Sequence, residues 1–520
     1  YPPQSNRKWA QKNPKIDRNL NRRQSLTDQR LAGKSSLYKY KITHYDGGNL
    51  YLLCSHMARL SKPLTVFSLA MINVAAVSSV RNWPTIAEYG FSSLFFLLLA
   101  IVIFFIPVSM VSAELATGWP KTGGVFAWVK EAFGHRTGFL AIWLLWAENL
   151  VYYPALISFI AGTIAYIINP ELSHNMLYIL CFVIGLFWLT TLANLFGMRA
   201  SSWISSIGVI AGTLIPGAVI IGLGALWYFS DNPLQIVYSW ESFLPNLSSP
   251  RELVFFSGVL VSLCGLEMSA VHANNVQHPQ KNYPKAILLS GALILGLYLF
   301  GVLAIAMVIP QGQISLVSGS LQAFALFMHA YSLDWLIPIM AILLAFGAFG
   351  TLSTWIAGPS AGLLAAAQEG DLPPLFRKLN RHKMPVALLI AQAIIVTLFS
   401  LVFLFMPTVS SAYWVLTATL AQIYLLMYVL MFAAAIKLRY KYPHVKRSYR
   451  IPGGNVGMWV VGGLGLIGAL STLCIGFFPP TQIKTGDTVF YVSFLVLSIA
   501  LICAAPSLIL LFKKKSWTKQ

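Results

Sequence analysis

From Pro63 onward the chain is a succession of apolar runs about 20 residues long, parted by short polar turns. Crossing the hydrocarbon core of a bilayer takes about 20 helical residues, so each run predicts a membrane-spanning helix. Twelve are expected, at about 64–81, 92–113, 138–168, 176–196, 204–229, 253–273, 286–309, 334–366, 385–406, 413–436, 457–477 and 489–512. The third and eighth exceed what a bilayer requires, which predicts tilt or extension into water. The expected class is all-α and polytopic.

Polar residues inside these runs are few, and their positions are informative. The sixth run, LVFFSGVLVSLCGLEMSAVHA, carries Glu267 two residues after Gly265. A carboxylate at bilayer depth is expensive and is kept chiefly for a substrate path or a proton relay. Glu148, in WLLWAENLVYY, is the second such acid. It is expected to meet a cationic substrate group, to pair with Arg81, or simply to bridge helices.

The first and sixth runs have corresponding weak points. Asn73-Val74-Ala75-Ala76 in the first and Ser262-Leu263-Cys264-Gly265 in the sixth are short stretches of small and polar residues. Small residues alone more often mark a helix-packing face. Matched across two halves and joined by an acid, they predict interrupted helices of an inverted-repeat transporter with a site at the membrane midplane. Freed backbone N–H groups there would hold a carboxylate and freed carbonyls an ammonium. Spans 1–5 and 6–10 form the two halves, and the last two spans lie outside the repeat. The chain thus divides into a basic tail at 1–62, a ten-helix core at 63–436, and 437–520 with the last two helices and a short basic end.

Composition agrees. The chain of 520 residues is 57% hydrophobic and 10% charged, with a mean hydropathy of +0.69, which excludes an ordinary soluble domain. Of its 36 Lys and Arg, all but Arg81, Arg251 and Lys484 fall on the tail and alternate loops. The positive-inside rule then places both termini in the cytoplasm. The net charge of +20 is this asymmetry plus the tail, a pattern for anionic lipid and not for nucleic acid. The loop Lys437–Arg450 belongs to it. IPGGNVG is a turn and not a phosphate loop, since no GK[ST] follows. The cysteines lack metal-ligand spacing and suggest no disulfide framework. The first 60 residues lack the apolar core of a signal peptide. Residues 1–56 contain no methionine, so translation is expected to start at Met57, the competing reading being a disordered regulatory tail.

Several segments resemble the amino acid–polyamine–organocation superfamily and, within it, bacterial glutamate/GABA antiporters. They are WPTIAEYGFSSLFFLLL, FIPVSMVSAELAT, GGVFAWVKEAFG, GLEMSAVHANN, NYPKAI, WIAGPSAGLLAAAQEGDLPP, IYLLMYVLMFAA and YRIPGGNVG, in order from about Leu64 to Phe512. The resemblance implies a LeuT-like fold, a 5+5 inverted repeat plus two helices. It implies that Glu267 serves gating and proton sensing, that Trp355 covers the substrate, and that Tyr424 and Tyr428 border its path. Asn149 would lie near the substrate side chain. The backbone around Asn73, Val74, Ala75, Ala76 and Ser262, Cys264, Gly265 would hold the α-carboxylate and α-amino groups. Residues 73–76 lack the superfamily's glycine-rich break. Thr351 stands where the antiporters carry an acid and Arg81 where they carry an aromatic, and the long C-terminal plug of those antiporters is expected to be missing.

The expected function is secondary amino-acid transport in a bacterial inner membrane. Exchange of glutamate for GABA leads, with the acid-resistance role that the resemblance implies. A proton-coupled permease, an exchanger of another pair such as arginine for agmatine, and a non-transporting sensor are the alternatives. A membrane enzyme would need clustered His, Asp, Glu or Cys at membrane depth, where only Glu148 and Glu267 stand out. No cofactor or metal is expected; the partners are a small amino acid and the bilayer, and a homodimer is left open. His272 is expected to cap a helix or contact a loop.

Overall fold

The computed structural model describes residues 65–119, 124–196, 208, 210–245, 250–267, 278–382, 384–481, 483–514 and 517. Among them no strand occurs, only an isolated bridge between Leu379 and Pro385. Residues 1–62, with the Met57 start, and His272 lie outside the described residues.

Among the described residues, ten helical stretches are long and apolar enough to cross a bilayer: Gly90–Gly118, His135–Ile168, Met176–Leu195, Ile210–Phe229, Pro284–Val308, Asp334–Leu352, Val386–Leu404, Val409–Lys441, Gly454–Ile475 and Thr488–Leu511. Each answers to an expected run. The two runs without a counterpart are the first and the sixth, and both are interrupted. In the first, α1 (Val66–Val77) ends before α2 (Trp83–Ala87) begins. In the sixth, the helix α5 (Phe256–Ser262) stops after seven residues. The intervening helices that matter here are α3 (Ile106–Gly118) and α4 (His135–Ile168). After α5 come α6 (Pro279–Val308), α7 (Ile337–Gln368), α8 (Val409–Lys441) and α9 (Gly454–Ile475).

Burial orders these elements. In α4 and α8, 72% and 78% of the apolar window is enclosed by protein, against 11% in Thr488–Leu511. The third and tenth spans therefore form the centre, and the last span lies on the outside. Its Leu501 and Leu511 are more than two-thirds exposed, as lipid-facing side chains are. Packing of α7 and α8 on α4 makes the central body.

The fifth span meets α7 through glycine. A Cβ at Gly347 would sit 2.5 Å from Gly212 Cα, and Gly208 faces Gly347 and Gly350 at 3.7 Å. Small residues four apart let two backbones touch, which is how membrane helices gain close packing.

The tenth span runs past its expected end at 436 to Lys441. The charged run Lys437–Lys441 hides a buried anchor. Arg439 pairs with Glu114 on α3, and its Nη2 donates to the carbonyls of Ile451 (2.9 Å) and Gly454 (2.7 Å). Glu114 also accepts the Ile451 N–H at 2.8 Å and lies 3.4 Å from Arg447 Nε. These bonds offset much of the cost of burying the pair, although Arg439 Nε has no hydrogen-bond partner. The expected turn at IPGGNVG is present, with Gly453, the residue before α9, and Gly454, its first residue, at φ of +83° and +62°.

Candidate functional site: two helix breaks around one cavity

The first break lies later than expected. Asn73, Val74, Ala75 and Ala76 are all helical, and Ser78 N–H still bonds the Val74 carbonyl at 2.8 Å. Asn73 donates its side-chain amide across to Ser290 Oγ (3.2 Å), so it does not compete with its own backbone. The chain opens at Ser78 and Ser79, whose ψ values of 122° and 124° are extended. Ser78 Oγ is buried without a hydrogen-bond partner and Ser79 makes no cap bond, so the opening is not held by the serine hydroxyls. A single 3-10 turn, Val80–Asn82, then leads into α2, where Pro84 suits a helix start because it brings no N–H.

The sixth break lies where the small residues predict it. After Ser262 the amides of Leu263 and Cys264 bond three residues back, to Leu260 and Val261. Gly265 then takes φ +111°, a conformation that other residues avoid. Its N–H, freed from the helix, bonds Tyr428 Oη at 3.1 Å.

Between the breaks lies a cavity of about 70 Å³, room for more than one water, so polar walls are at home there. The first break supplies Val77, Ser78, Ser79, Arg81 and Asn82, and the sixth supplies Val261, Ser262 and Cys264. Glu148 and Tyr152 come from α4, Thr351 and Trp355 from α7, and Leu420 and Tyr424 from α8. Tyr298 of α6 ties the two breaks together. Its Oη lies 3.2 Å from the Val77 carbonyl and 3.1 Å from the Ser262 carbonyl, and accepts from Asn82 Nδ2 at 3.3 Å. A phenol has one proton to give. Only one of the two freed carbonyls can take it at a time, and the other keeps its capacity for an ammonium.

Glu267 stands one hydrogen bond behind this wall. Its carboxylate takes Tyr424 Oη on one oxygen (2.5 Å) and Tyr428 Oη on the other. Both tyrosines are on α8, one turn apart on one face. Tyr424 lines the cavity, while Tyr428 and Glu267 do not, so Glu267 communicates with the cavity through the Tyr424 hydroxyl. Glu148 is buried and accepts from the side-chain amide of its neighbour Asn149. The alternative of a Glu148–Arg81 pair is not realised, since no ion pair joins them among the described residues. Asn149 is turned away from the cavity, with its amide also on the Leu145 carbonyl at 2.8 Å. Trp355 is held at its backbone by Tyr153 Oη (2.9 Å), and its ring lies 5.9 Å from that of Tyr152.

Of the expected site residues, Glu148, Ser262, Cys264, Trp355 and Tyr424 are thus together on the cavity wall. Gly265, Glu267 and Tyr428 form the layer beneath. Asn73 and Val74 lie within α1, and Asn149 is hydrogen-bonded to Glu148 and does not line the cavity. Sequence reasoning missed Ser78, Ser79, Tyr152 and Tyr298. Tyr152 had a signal, being one helical turn from Glu148, and so had the adjacent serines. Tyr298, in LGLYLFG, had none.

Two further ionisable groups lie away from the cavity. In the turn between the first and second spans, Glu88 accepts the Gly312 N–H at 2.8 Å, and its Oε1 is buried without a partner. Burial pushes its carboxyl up to about 7. His135, Glu369 and Asp371 cluster near the end of α7, but Lys130 and Lys513 hold the two carboxylates at 2.5 and 3.0 Å. That is an ion-pair knot, and its acids are already matched by cations.

Comparison with known proteins agrees with this architecture. The model of a family described as amino acid permease matches residues 64–501. An uncharacterized transporter of Legionella pneumophila is 46% identical over 459 residues, covering 88% of this chain and 98% of that protein. A glutamate/gamma-aminobutyrate antiporter of Lactococcus lactis subsp. lactis is 35% identical over 454 residues, covering 86% of this chain and 90% of its own. Its counterpart from Lactococcus lactis subsp. cremoris is likewise 35% identical over 454 residues. A polytopic helical protein with two interrupted spans around a polar cavity, matched over nearly its whole membrane portion, this chain belongs to the amino acid permease family of the amino acid–polyamine–organocation superfamily.

Proposed function

We infer that this amino-acid transporter is an exchanger that carries glutamate one way and GABA the other by alternating access. The observation that carries the reading is the cavity bounded by both helix breaks, with a titratable acid, Glu267, one tyrosine hydroxyl away. The 35% identity to glutamate/gamma-aminobutyrate antiporters supports this substrate pair. In this reading residues 63–436 form a ten-helix inverted repeat, the last two helices stand outside it, and both termini lie in the cytoplasm of a bacterium. The resulting proton export from the cytoplasm would serve acid resistance.

The residues divide the work. The freed backbone at Ser78, Ser79, Ser262 and Cys264 receives the α-amino and α-carboxylate groups, and Trp355 covers the substrate. Protonation of Glu267 changes the charge behind Tyr424, which alters the bonds that hold α8 against the sixth span. A charge change at a bistable contact is a general way to bias a conformational equilibrium.

The test is counterflow in proteoliposomes. Labelled glutamate outside should enter only when GABA or glutamate is inside, and Glu267→Ala should abolish or uncouple that exchange while the protein still inserts and purifies. Uptake driven by a pH gradient alone, with nothing inside, would favour the proton-coupled permease. An unchanged pH profile in Glu267→Ala would remove Glu267 from the mechanism.

A further inference from the structure

Arg81 is a buried cation on the cavity wall, and its polar capacity is only partly used. It is 4% exposed. Nη1 donates to Tyr413 Oη at 3.1 Å, and the guanidinium carbon lies 5.0 Å from the ring centre of Tyr152 and 5.9 Å from that of Tyr413. Nε is buried with no hydrogen-bond partner, and among the described residues no carboxylate pairs with the group. Aromatic faces temper a cation but do not fill the in-plane donors of a guanidinium. A buried charge without a counter-charge is among the costliest arrangements a protein interior holds. The side of Arg81 that is not walled by tyrosine faces the cavity between the two breaks.

Five N–H donors in a fixed plane match a carboxylate, two bonds at a time. Glu148 lines the same cavity, one helical turn from Tyr152, and is unpaired with Arg81. One wall therefore presents a cation and an acid that do not neutralise each other, which suits a molecule carrying both charges. Thr351 adds no charge on the α7 side.

We propose that Arg81 binds a carboxylate of the substrate, so that this cavity takes carboxylate-bearing amino acids and rejects amines that lack one. The proposal rests on reading the cavity as the substrate site. It makes Arg81 a specificity-determining residue, with the ammonium end of the same molecule left to Glu148 and the freed carbonyls.

The experiment measures ligand-induced shifts in melting temperature of the purified full chain, titrated with glutamate, glutamine, GABA and putrescine. Wild type should bind the three carboxylate bearers at least about 30-fold more tightly than putrescine, the loss expected for leaving a buried charge unmatched. In Arg81→Gln that preference should collapse, with the carboxylate bearers about 30-fold weaker and putrescine unchanged or tighter. Arg81→Lys keeps the charge without the fork and should fall between. Equal losses for glutamate and glutamine assign the α-carboxylate to Arg81, whereas a larger loss for glutamate assigns its side-chain carboxylate. Arg81→Gln weakening all four ligands alike, or none, would overturn the proposal. If Arg81→Gln does not purify as a folded protein, wild type decides alone: putrescine stabilising as strongly as GABA overturns it. A wild type that fails to exchange glutamate for GABA, yet binds another amino acid in an Arg81-dependent way, would sink the substrate pair and leave this proposal standing.

Discussion

At the scale of single residues, the chain places its charges where their environment changes them. Glu88 is the case that can be followed by pH. Its carboxyl is raised from an ordinary 4.5 to about 7 by burial, against the hydrogen bond from Gly312. Because the folded value lies above the unfolded one, the neutral acid is what the fold favours. That contribution is fully present below about pH 4.5 and is lost as pH rises through 7, on the order of 3 kcal/mol in all. Glu88→Gln fixes the neutral form and keeps an oxygen for the Gly312 N–H. Its melting temperature should exceed that of wild type at pH 8 and match it at pH 4.5. An equal difference at both pH values would show that Glu88 does not titrate in this window.

Sequence was a fair guide at this scale where a residue type is anomalous for its surroundings. Glu267, Glu148 and Trp355 are legible because acids at membrane depth and motif aromatics stand out. Asn149 and Asn73 misled for one reason: an amide side chain in lipid must bond something, and periodicity does not say whether the partner is substrate or protein. Here the partners are Glu148 and Ser290. Arg81 was visible as a departure from related antiporters, but its place on the wall required the fold.

At the scale of elements, the interruptions are the feature that sequence located only in part. Gly265 marked the sixth break because its positive φ needs glycine. The first break has no glycine, and apolar periodicity does not separate Asn73–Ala76 from Ser78–Ser79; in the fold Asn73 is tied across to Ser290 while its own stretch stays helical. Length misled at the tenth span for a related reason, since Arg439 reads as a loop charge until its partner Glu114 is in place. The contact between the fifth span and α7 makes its own prediction. Gly347→Ala drives a methyl into the Gly212 backbone, and overpacking of this kind costs about 1–3 kcal/mol. Thermal unfolding in detergent should show a clear drop for Gly347→Ala. Gly185→Ala, where a Cβ meets nothing within 4 Å, should be neutral or mildly stabilising. Equal behaviour of the two variants would contradict the close crossing.

At the scale of the whole molecule, ten spanning helices were legible from apolar length alone, because the bilayer fixes that length. The cavity was not, since its walls come from residues as far apart in sequence as Val77 and Tyr424. Cys264 offers a way to watch it. This thiol is on the cavity wall, whereas Cys181 and Cys474 are exposed on the outer surface of the bundle. In a chain retaining only Cys264, a small charged thiol reagent should label it, and saturating glutamate or GABA should slow the labelling severalfold. Labelling at one rate with and without either amino acid would separate Cys264 from the substrate site.

The touching glycines of the fifth span and α7 carry a mechanical consequence. Two main chains in direct contact leave no gap at the crossing, so neither helix can tilt toward the other there without pushing it aside. Thr351 and Trp355 sit one and two turns along α7 from Gly347, on the cavity wall. In the proposed reading of Trp355 as the cover of the substrate, a tilt of α7 that moves this cover should also displace the fifth span at Gly212.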